Sequence, residues 1–171
     1  SAIVVDSKIK FKGLQIPLLK VNDVRKNLSE ACSNFYKKKP SYIVAVTGTN
    51  GKTSVANFFF QLFKLNKIRA ASIGTLGIES NLFKKKTNLT SPDPLLLHKS
   101  LSALKRKKIN IAILEASSHG LDQKRLDHIN FKAAAFTNIS RDHMDYHKNM
   151  NCYLNSKLYL FNNLLNKKTF C

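Results

Sequence analysis

Between residues 47 and 54 the chain reads TGTNGKTS, a run whose glycines, lysine and hydroxyls could together hold phosphate. Backbone N–H groups of Gly48, Thr49, Asn50 and Gly51 would cradle phosphate oxygens, and a helix starting behind them would add its partial positive charge. Lys52 would reach the β and γ phosphates, and the Thr53 hydroxyl would ligate Mg²⁺. The general pattern asks for a glycine five residues before Gly51, where this chain has Val46. An ordinary glycine turn between a strand and a helix is the bland alternative. The order strand, Gly-x-x-Gly-Lys-Thr, helix favours a nucleoside triphosphate.

A second concentration of chemistry lies downstream. NISRDHMDYHKNMNCYLNSK, residues 138 to 157, carries Asp142, His143, Asp145 and His147 and then places Lys157 after them. The acids and imidazoles suit a metal ion, whereas a lysine has the wrong sign for one. Lys157 reads by itself as a solvated lysine on an amphipathic helix. Glu115 ends the apolar run of ILEASSHGL, at a strand tip where a P-loop enzyme would hold its metal, although strands often finish in a charge. On local pattern alone Ser117 and Ser118 could cap the next helix. Gln123 and Arg125 could be a solvated face, and Thr90 and Ser91 a turn before Pro92.

The elements that must position these groups alternate. Apolar spacing of threes and fours predicts a helix over Asn22 to Tyr36, closed by Pro40. YIVAV (42–46) is a short unbroken β-branched run, as in a strand buried on both faces. KTSVANFFFQLFKLN reads as the helix behind the glycine loop, and IRAASIG (68–74) as the next strand. Residues 75–92 read as loop with room for a hairpin. DPLLLHKSLSALKRK is helical, with Asp93 as N-cap and Pro94 at the first position. INIAILEAS (109–117) and FKAAAFTN (131–138) are buried strands, and NCYLNSKLYLFNNLL (151–165) an amphipathic closing helix with no strand after it. Such alternation predicts an α/β fold, a doubly wound, mostly parallel sheet with a P-loop. Ligands gather at the carboxyl ends of its strands, which brings the loops after Val46, Glu115 and Asn138 together.

Composition narrows the function. With 171 residues the chain suits one well-buried domain, and no apolar run is long enough to span a bilayer. Cys32, Cys152 and Cys171 form no CxxC pair, so a reducing cytoplasm is expected rather than a disulfide framework. The segment SAIVVDSKIK has no signal-peptide architecture and no initiating Met, which predicts a fragment or processed product. The net charge of +19 invites nucleic acid. Its clusters, such as Lys84-Lys85-Lys86, nevertheless lack the interleaved aromatics of a stacking platform. A basic P-loop module that binds nucleic acid is therefore the lesser alternative, and no nucleic-acid or membrane partner is expected.

Taken together, GTNGKT, LTSPDP, EASSHGL, QKR and TNISRDHMDYH resemble the Mur ligases, over nearly the whole chain. Within that family the likeness runs to the branch that adds the third residue of the peptidoglycan stem peptide. The resemblance implies an ATP-dependent amide ligase. ATP phosphorylates a carboxylate of a UDP-N-acetylmuramoyl dipeptide, and the acyl phosphate is attacked by an amino acid's amine. Meso-diaminopimelate is favoured over lysine as that amino acid, on resemblance only. Residues 1–40 would be the end of an N-terminal UDP-binding domain and its linker. Residues 41–171 would be an incomplete central ATP-binding domain, with the amino-acid-binding C-terminal domain absent, so the chain alone would not ligate. A cytoplasmic monomer is expected.

Carried over position by position, Gly48, Thr49, Asn50, Gly51, Lys52, Thr53 and Ser54, with Asn138, would hold ATP. Thr90, Ser91, Ser117, Gln123 and Arg125 would grip the UDP-linked substrate, Arg125 through its planar fork. Leu89 departs from the Asn or Thr often found there. Thr53, Glu115, His143 and Lys157 would serve the metal, and Lys52, His143 and Lys157 the catalysis. Lys157 aligns with the lysine that the family carbamylates with CO₂, and charge explains why. An ammonium about 4 Å from a divalent cation costs roughly 8 kcal/mol at an effective dielectric near 20, whereas a carbamate offers oxygen ligands. Folylpolyglutamate synthetases share this chemistry but typically have Gly where this chain has Thr53.

Overall fold

The computed structural model describes residues 2–10, 13 and 15–170. Cys171, one of the three cysteines weighed above, lies outside the described residues. Two short strands, β1 (Ile3–Asp6) and β2 (Leu18–Val21), pair in parallel as a separate ribbon. Helix α1 (Val24–Phe35) follows; Asp23 caps it by accepting from the Lys26 N–H at 2.9 Å.

The main sheet then begins with β3 (Tyr42–Thr47), and helix α2 (Lys52–Leu65) starts directly behind the glycine loop. Strand β4 (Ala70–Gly74) turns back through β5 (Gly77–Ser80) and β6 (Lys84–Lys85), an antiparallel excursion that fills the segment expected to be loop and hairpin. Helix α3 (Pro94–Arg106) has Asp93 as its N-cap and Pro94 at its first position. Strand β7 (Ile111–Glu115), the single-turn α4 (Ser118–Asp122) and β8 (Phe131–Phe136) complete the expected alternation.

The strand order is β6-β5-β4-β7-β3-β8 and then a seventh strand, β9 (Leu165–Phe170). Five neighbouring strands, β4 through β9 in that order, run parallel, and the two antiparallel strands sit on one edge. The parallel crossovers give the strands two buried faces, which is why β3 is apolar from Ile43 to Val46, with Val46 fully buried. Leu97, Leu101 and Leu104 of α3 pack with Ile43 and Ala45 on one face. Ala56 and Phe59 of α2 pack with Val44, Val46 and Ile113 on the other.

The chain's last stretch departs from expectation. After the short α5 (Met144–His147), helix α6 covers only Met150–Tyr159. Residues Leu160–Leu164 widen into a π-helical turn, and β9 then pairs with β8. The apolar residues of LYLFNNLL fit helical spacing, but Leu160 is fully buried and Leu164 and Leu165 pack on the sheet core. Burial of those leucines beside β8 outweighs continuation of the helix. Among the described residues no helix is long and apolar enough to cross a membrane.

Candidate active site

The tips of β3, β7 and β8 meet as the topology demands. The Ala116 N–H donates to the Val46 carbonyl at 2.8 Å, and the Thr47 hydroxyl returns to the Ala116 carbonyl at 2.8 Å. On the other side, the Thr137 N–H donates to the Thr47 carbonyl at 3.0 Å and the Thr49 N–H to the Asn138 carbonyl at 2.9 Å. Asn138 also accepts from the Asn50 N–H through its side-chain oxygen at 3.0 Å. The glycine loop is therefore pinned by both neighbours of its own strand.

Gly48 is required by this packing. Its φ is +142°, and a Cβ there would stand 1.9 Å from Thr137 Oγ1. Gly51, at φ +83°, is the N-cap of α2 and makes no side-chain cap, so the first turn keeps its N–H groups for the loop. Ser54 lies exposed on that first turn.

Two lysines converge on one carbonyl. Lys52 Nζ donates to the Gly48 oxygen at 2.9 Å and to the Thr49 oxygen at 2.8 Å. Lys157 Nζ donates to the same Gly48 oxygen at 2.7 Å, and its side chain is 1% exposed. Lys157 is thus not a solvated helix residue. Burial first, and then the Lys52 charge, push it down to about 8, against the pull of Asp142. Burial also lowers Lys52, against Glu115 and Asp142. The Tyr153 ring lies 4.4 Å from Lys157 Nζ, and its hydroxyl is 3.1 Å from Thr49 Oγ1.

Glu115 forms the acid side. Its carboxylate accepts from Thr53 Oγ1 at 2.8 Å, from the Thr75 N–H at 2.9 Å and from Thr75 Oγ1 at 3.2 Å. It is 2% exposed, held by donors rather than by water. Gly74 makes the room, since a Cβ on it would fall 2.0 Å from Glu115 Oε1.

Ser91 organises a third group. It donates to the Glu115 carbonyl at 2.8 Å and accepts from the Ser117 N–H at 2.9 Å. Ser117 caps α4, accepting from the Gly120 N–H, and its hydroxyl also reaches Ser91, so capping and contact coexist. Arg125 Nη1 donates to the Ser91 carbonyl at 2.9 Å, and its Nε donates to Gln123 Oε1 at 3.1 Å. Gln123 and Arg125 are half-buried, Arg125 on Ser91 and Gln123 on the Tyr146 hydroxyl, so neither is a solvated helix flank. Leu89, Gln123 and Arg125 line a cavity of about 260 Å³ that Arg25 of α1 also enters. Thr90 Oγ1 is 3.1 Å from Thr75 Oγ1.

His143 packs with a different set of side chains. Its backbone is left-handed, its Nε2 is 3.5 Å from Asp142 Oδ2, and its ring sits 4.8 Å from that of His119. His147 is buried against His119 and Tyr153, while Asp145 is exposed. Burial lowers both His119 and His147, reinforced by their neighbouring imidazoles. Among the described residues, no three His, Cys, Asp or Glu side chains form a group able to hold a metal. The acids and imidazoles of 138–147 therefore do not by themselves build a metal site.

Gly74, Thr75, Tyr153 and Arg25 were not singled out from the sequence. Thr75 and Tyr153 carry no local signal, because each acts on a partner 40 or more residues away.

The comparisons agree with this geometry. The family model for the Mur ligase middle domain matches residues 46–171. The UDP-N-acetylmuramoyl-L-alanyl-D-glutamate--2,6-diaminopimelate ligase of Brucella melitensis is 46% identical over 97% of this chain and 34% of its own. That of Rhizobium meliloti is 48% identical over 88% of this chain and 31% of its own. A solved structure of a ligase of the same name superposes with a TM-score of 0.74 at 34% identity, covering 90% of this chain and 32% of that one. An E. coli FolC in complex with DHPP and ADP shares the fold, at a TM-score of 0.62 and 15% identity, over 83% of this chain and 40% of its own. The chain spans about a third of the length of the curated relatives it matches. With a seven-stranded α/β sheet, a phosphate loop on its central strand and this match, the chain belongs to the Mur ligase family.

Proposed function

We propose that the polypeptide carrying this chain is an ATP-dependent ligase of peptidoglycan precursor synthesis. It joins diaminopimelate to UDP-N-acetylmuramoyl-L-alanyl-D-glutamate through an acyl phosphate. The observation that carries this reading is the convergence of Lys52 and the buried Lys157 on the Gly48 carbonyl. Residues 41–171 are its ATP-binding portion, and residues 1–40 the end of a preceding UDP-binding domain with its linker. The pairing of β1 only with β2, outside the main sheet, supports that division. The amino-acid-binding domain lies outside these residues, so the chain alone binds nucleotide without ligating. The ligase acts as a monomer in the cytoplasm, a setting in keeping with the free thiols of Cys32 and Cys152.

The phosphate chain of ATP lies along the N–H groups of Gly48 to Thr53, with Asn138 fixing Asn50 and the loop's far side. Lys52 neutralises charge on the transferring phosphoryl group. A carboxylate is a poor acceptor for an amine, and phosphorylation gives it a leaving group. Ser91, Ser117, Gln123 and Arg125, one hydrogen-bonded unit beside Glu115, with Thr90 next to them, hold the UDP-linked dipeptide so that its carboxylate faces the γ phosphate.

Thr53 and Glu115 offer hard oxygen donors side by side, which fits Mg²⁺; when bound it neutralises phosphate oxygens. His143, in the segment after β8, would be the further ligand. Lys157 fits a carbamate. Its Nζ is buried on a single carbonyl beside a second ammonium, and at pH 7 about one molecule in ten has the neutral amine that CO₂ requires.

Calorimetric titration of the chain with ADP and Mg²⁺ tests the nucleotide half, and Lys52→Ala is expected to weaken binding at least tenfold. Ligation by the full-length polypeptide, followed as diaminopimelate-dependent ADP release, tests the rest. Unchanged affinity in Lys52→Ala, or turnover with a folate and glutamate in place of the muramoyl dipeptide, would overturn the reading.

A further inference from the structure

Thr75 occupies the turn between β4 and β5, with no charge and no motif to mark it. Its backbone N–H and its hydroxyl both donate to Glu115, one to each carboxylate oxygen, at 2.9 and 3.2 Å. The same hydroxyl is 3.1 Å from Thr90 Oγ1. Gly74, immediately before it, is the position at which any Cβ would strike the Glu115 carboxylate.

A hydroxyl has one proton. Since Thr75 spends it on Glu115, it can only accept from Thr90, and the Thr90 proton is directed inward. The relay therefore runs one way, from Thr90 through Thr75 to Glu115. Thr90 is left with lone pairs, so toward a substrate it accepts from N–H donors such as amides. Glu115 meanwhile is gripped on both oxygens, one of them also by Thr53. A carboxylate held in this way has little rotational freedom left and keeps its remaining lone pairs at a fixed angle.

We propose that Thr75 is a positioning residue: it sets the Glu115 carboxylate for the nucleotide's divalent cation and ties that setting to Thr90 on the dipeptide side. This rests on the reading of Glu115 as a metal-side acid. Two different failures can be told apart by measuring ADP affinity with and without Mg²⁺ in the chain and in three variants. Thr75→Val keeps the shape and the backbone N–H but removes the hydroxyl, while Thr75→Ser keeps both donors.

Loss of one hydrogen bond to a charged acceptor predicts that Thr75→Val reduces the Mg²⁺-dependent tightening of ADP about tenfold. Metal-free ADP affinity should stay within twofold, and Thr75→Ser should restore the tightening. A merely structural role would lower both affinities together, and that outcome would overturn the proposal. Glu115→Gln is the control. If it abolishes the tightening while Thr75→Val keeps it, the positioning role alone falls. If Glu115→Gln keeps the tightening, the metal-side reading falls and the proposal with it.

Discussion

Lys157→Met isolates what the structure says about charge in the site. The wild-type side chain is 1% exposed and reaches one acceptor, the Gly48 carbonyl, which Lys52 already uses. Burial of the ammonium is the larger cost, and the Lys52 charge on the same carbonyl adds to it. Together these take Lys157 from 10.5 down to about 8, which corresponds to about 3 kcal/mol. The folded pKa lies below the unfolded one, so the penalty is full below about pH 8 and vanishes as pH rises toward 10.5. Methionine removes the charge and keeps the bulk. It forfeits a hydrogen bond of about 1 kcal/mol, but Lys52 still satisfies the Gly48 carbonyl. In CO₂-free buffer at pH 7, Lys157→Met should therefore be more stable by about 2 kcal/mol, or about 4–8 °C in Tm for a chain of this size. The advantage should shrink as pH approaches 10.5. Bicarbonate at pH 8.5 should raise the Tm of the wild type and leave the variant unmoved. Urea and thermal denaturation read all three. A variant less stable than wild type at pH 7, with parallel curves up to pH 10.5, would refute the reasoning.

Gly48→Ala combines a left-handed backbone with a Cβ 1.9 Å from Thr137 Oγ1, so the loop must shift. Nucleotide affinity should fall more than tenfold in calorimetry, with the Tm lowered by several degrees. Ser91→Ala removes a hydroxyl that serves the Glu115 carbonyl and both the N–H and hydroxyl of Ser117. It should cost about 1–3 kcal/mol in urea denaturation. His98 is fully buried with neither ring nitrogen hydrogen-bonded. Burial, then the Lys39 charge, take it from 6.5 to about 4. It therefore contributes stability fully present above pH 6.5 and lost as pH falls toward 4, a swing of about 3 kcal/mol. The stability difference between wild type and His98→Leu, followed from pH 7 to 4, should show that swing.

Elements whose causes are local were legible in the chain. Asp93 and Pro94 mark the start of α3 with a side-chain acceptor and a missing N–H, and both signals lie within one turn. YIVAV is a buried strand because both faces of β3 are covered, which leaves no polar alternation to confuse it. The ribbon of β1 and β2 escaped notice because IVVD and LLKV are short and partly exposed, and each needs the other, distant in sequence, to pair. Strand β9 escaped because LYLFNNLL satisfies helical spacing, and only contact with β8 shows that the helix must end. Within the site, the glycine loop was readable from its own residues. The burial of Lys157 was not, since the carbonyl that holds it is 109 residues earlier. Nor did the 138–147 stretch reveal that its imidazoles pack on His119 and Tyr153.

The position of β3 in the sheet explains why the site needs so many distant residues. A central strand has a neighbour on each side, and here both neighbours end at the loop that follows it. From β7 come Ala116, which locks the strand tip, and Glu115, which engages the first turn of α2 through Thr53. From β8 come Thr137 and Asn138, which clasp Gly48 to Asn50. An edge strand would supply only one of these walls, and the loop's far side would be free. The two walls also differ in charge. The β7 side contributes a carboxylate, and α6, beyond β8, contributes Lys157. A phosphate chain laid along the loop would thus meet Lys52 and Lys157 at one end and an acid with room for a cation at the other. Conversion of Lys157 to an anion would exchange repulsion for attraction toward Lys52 across the same few ångströms, so the buried lysine is the place where a single chemical change alters the field most.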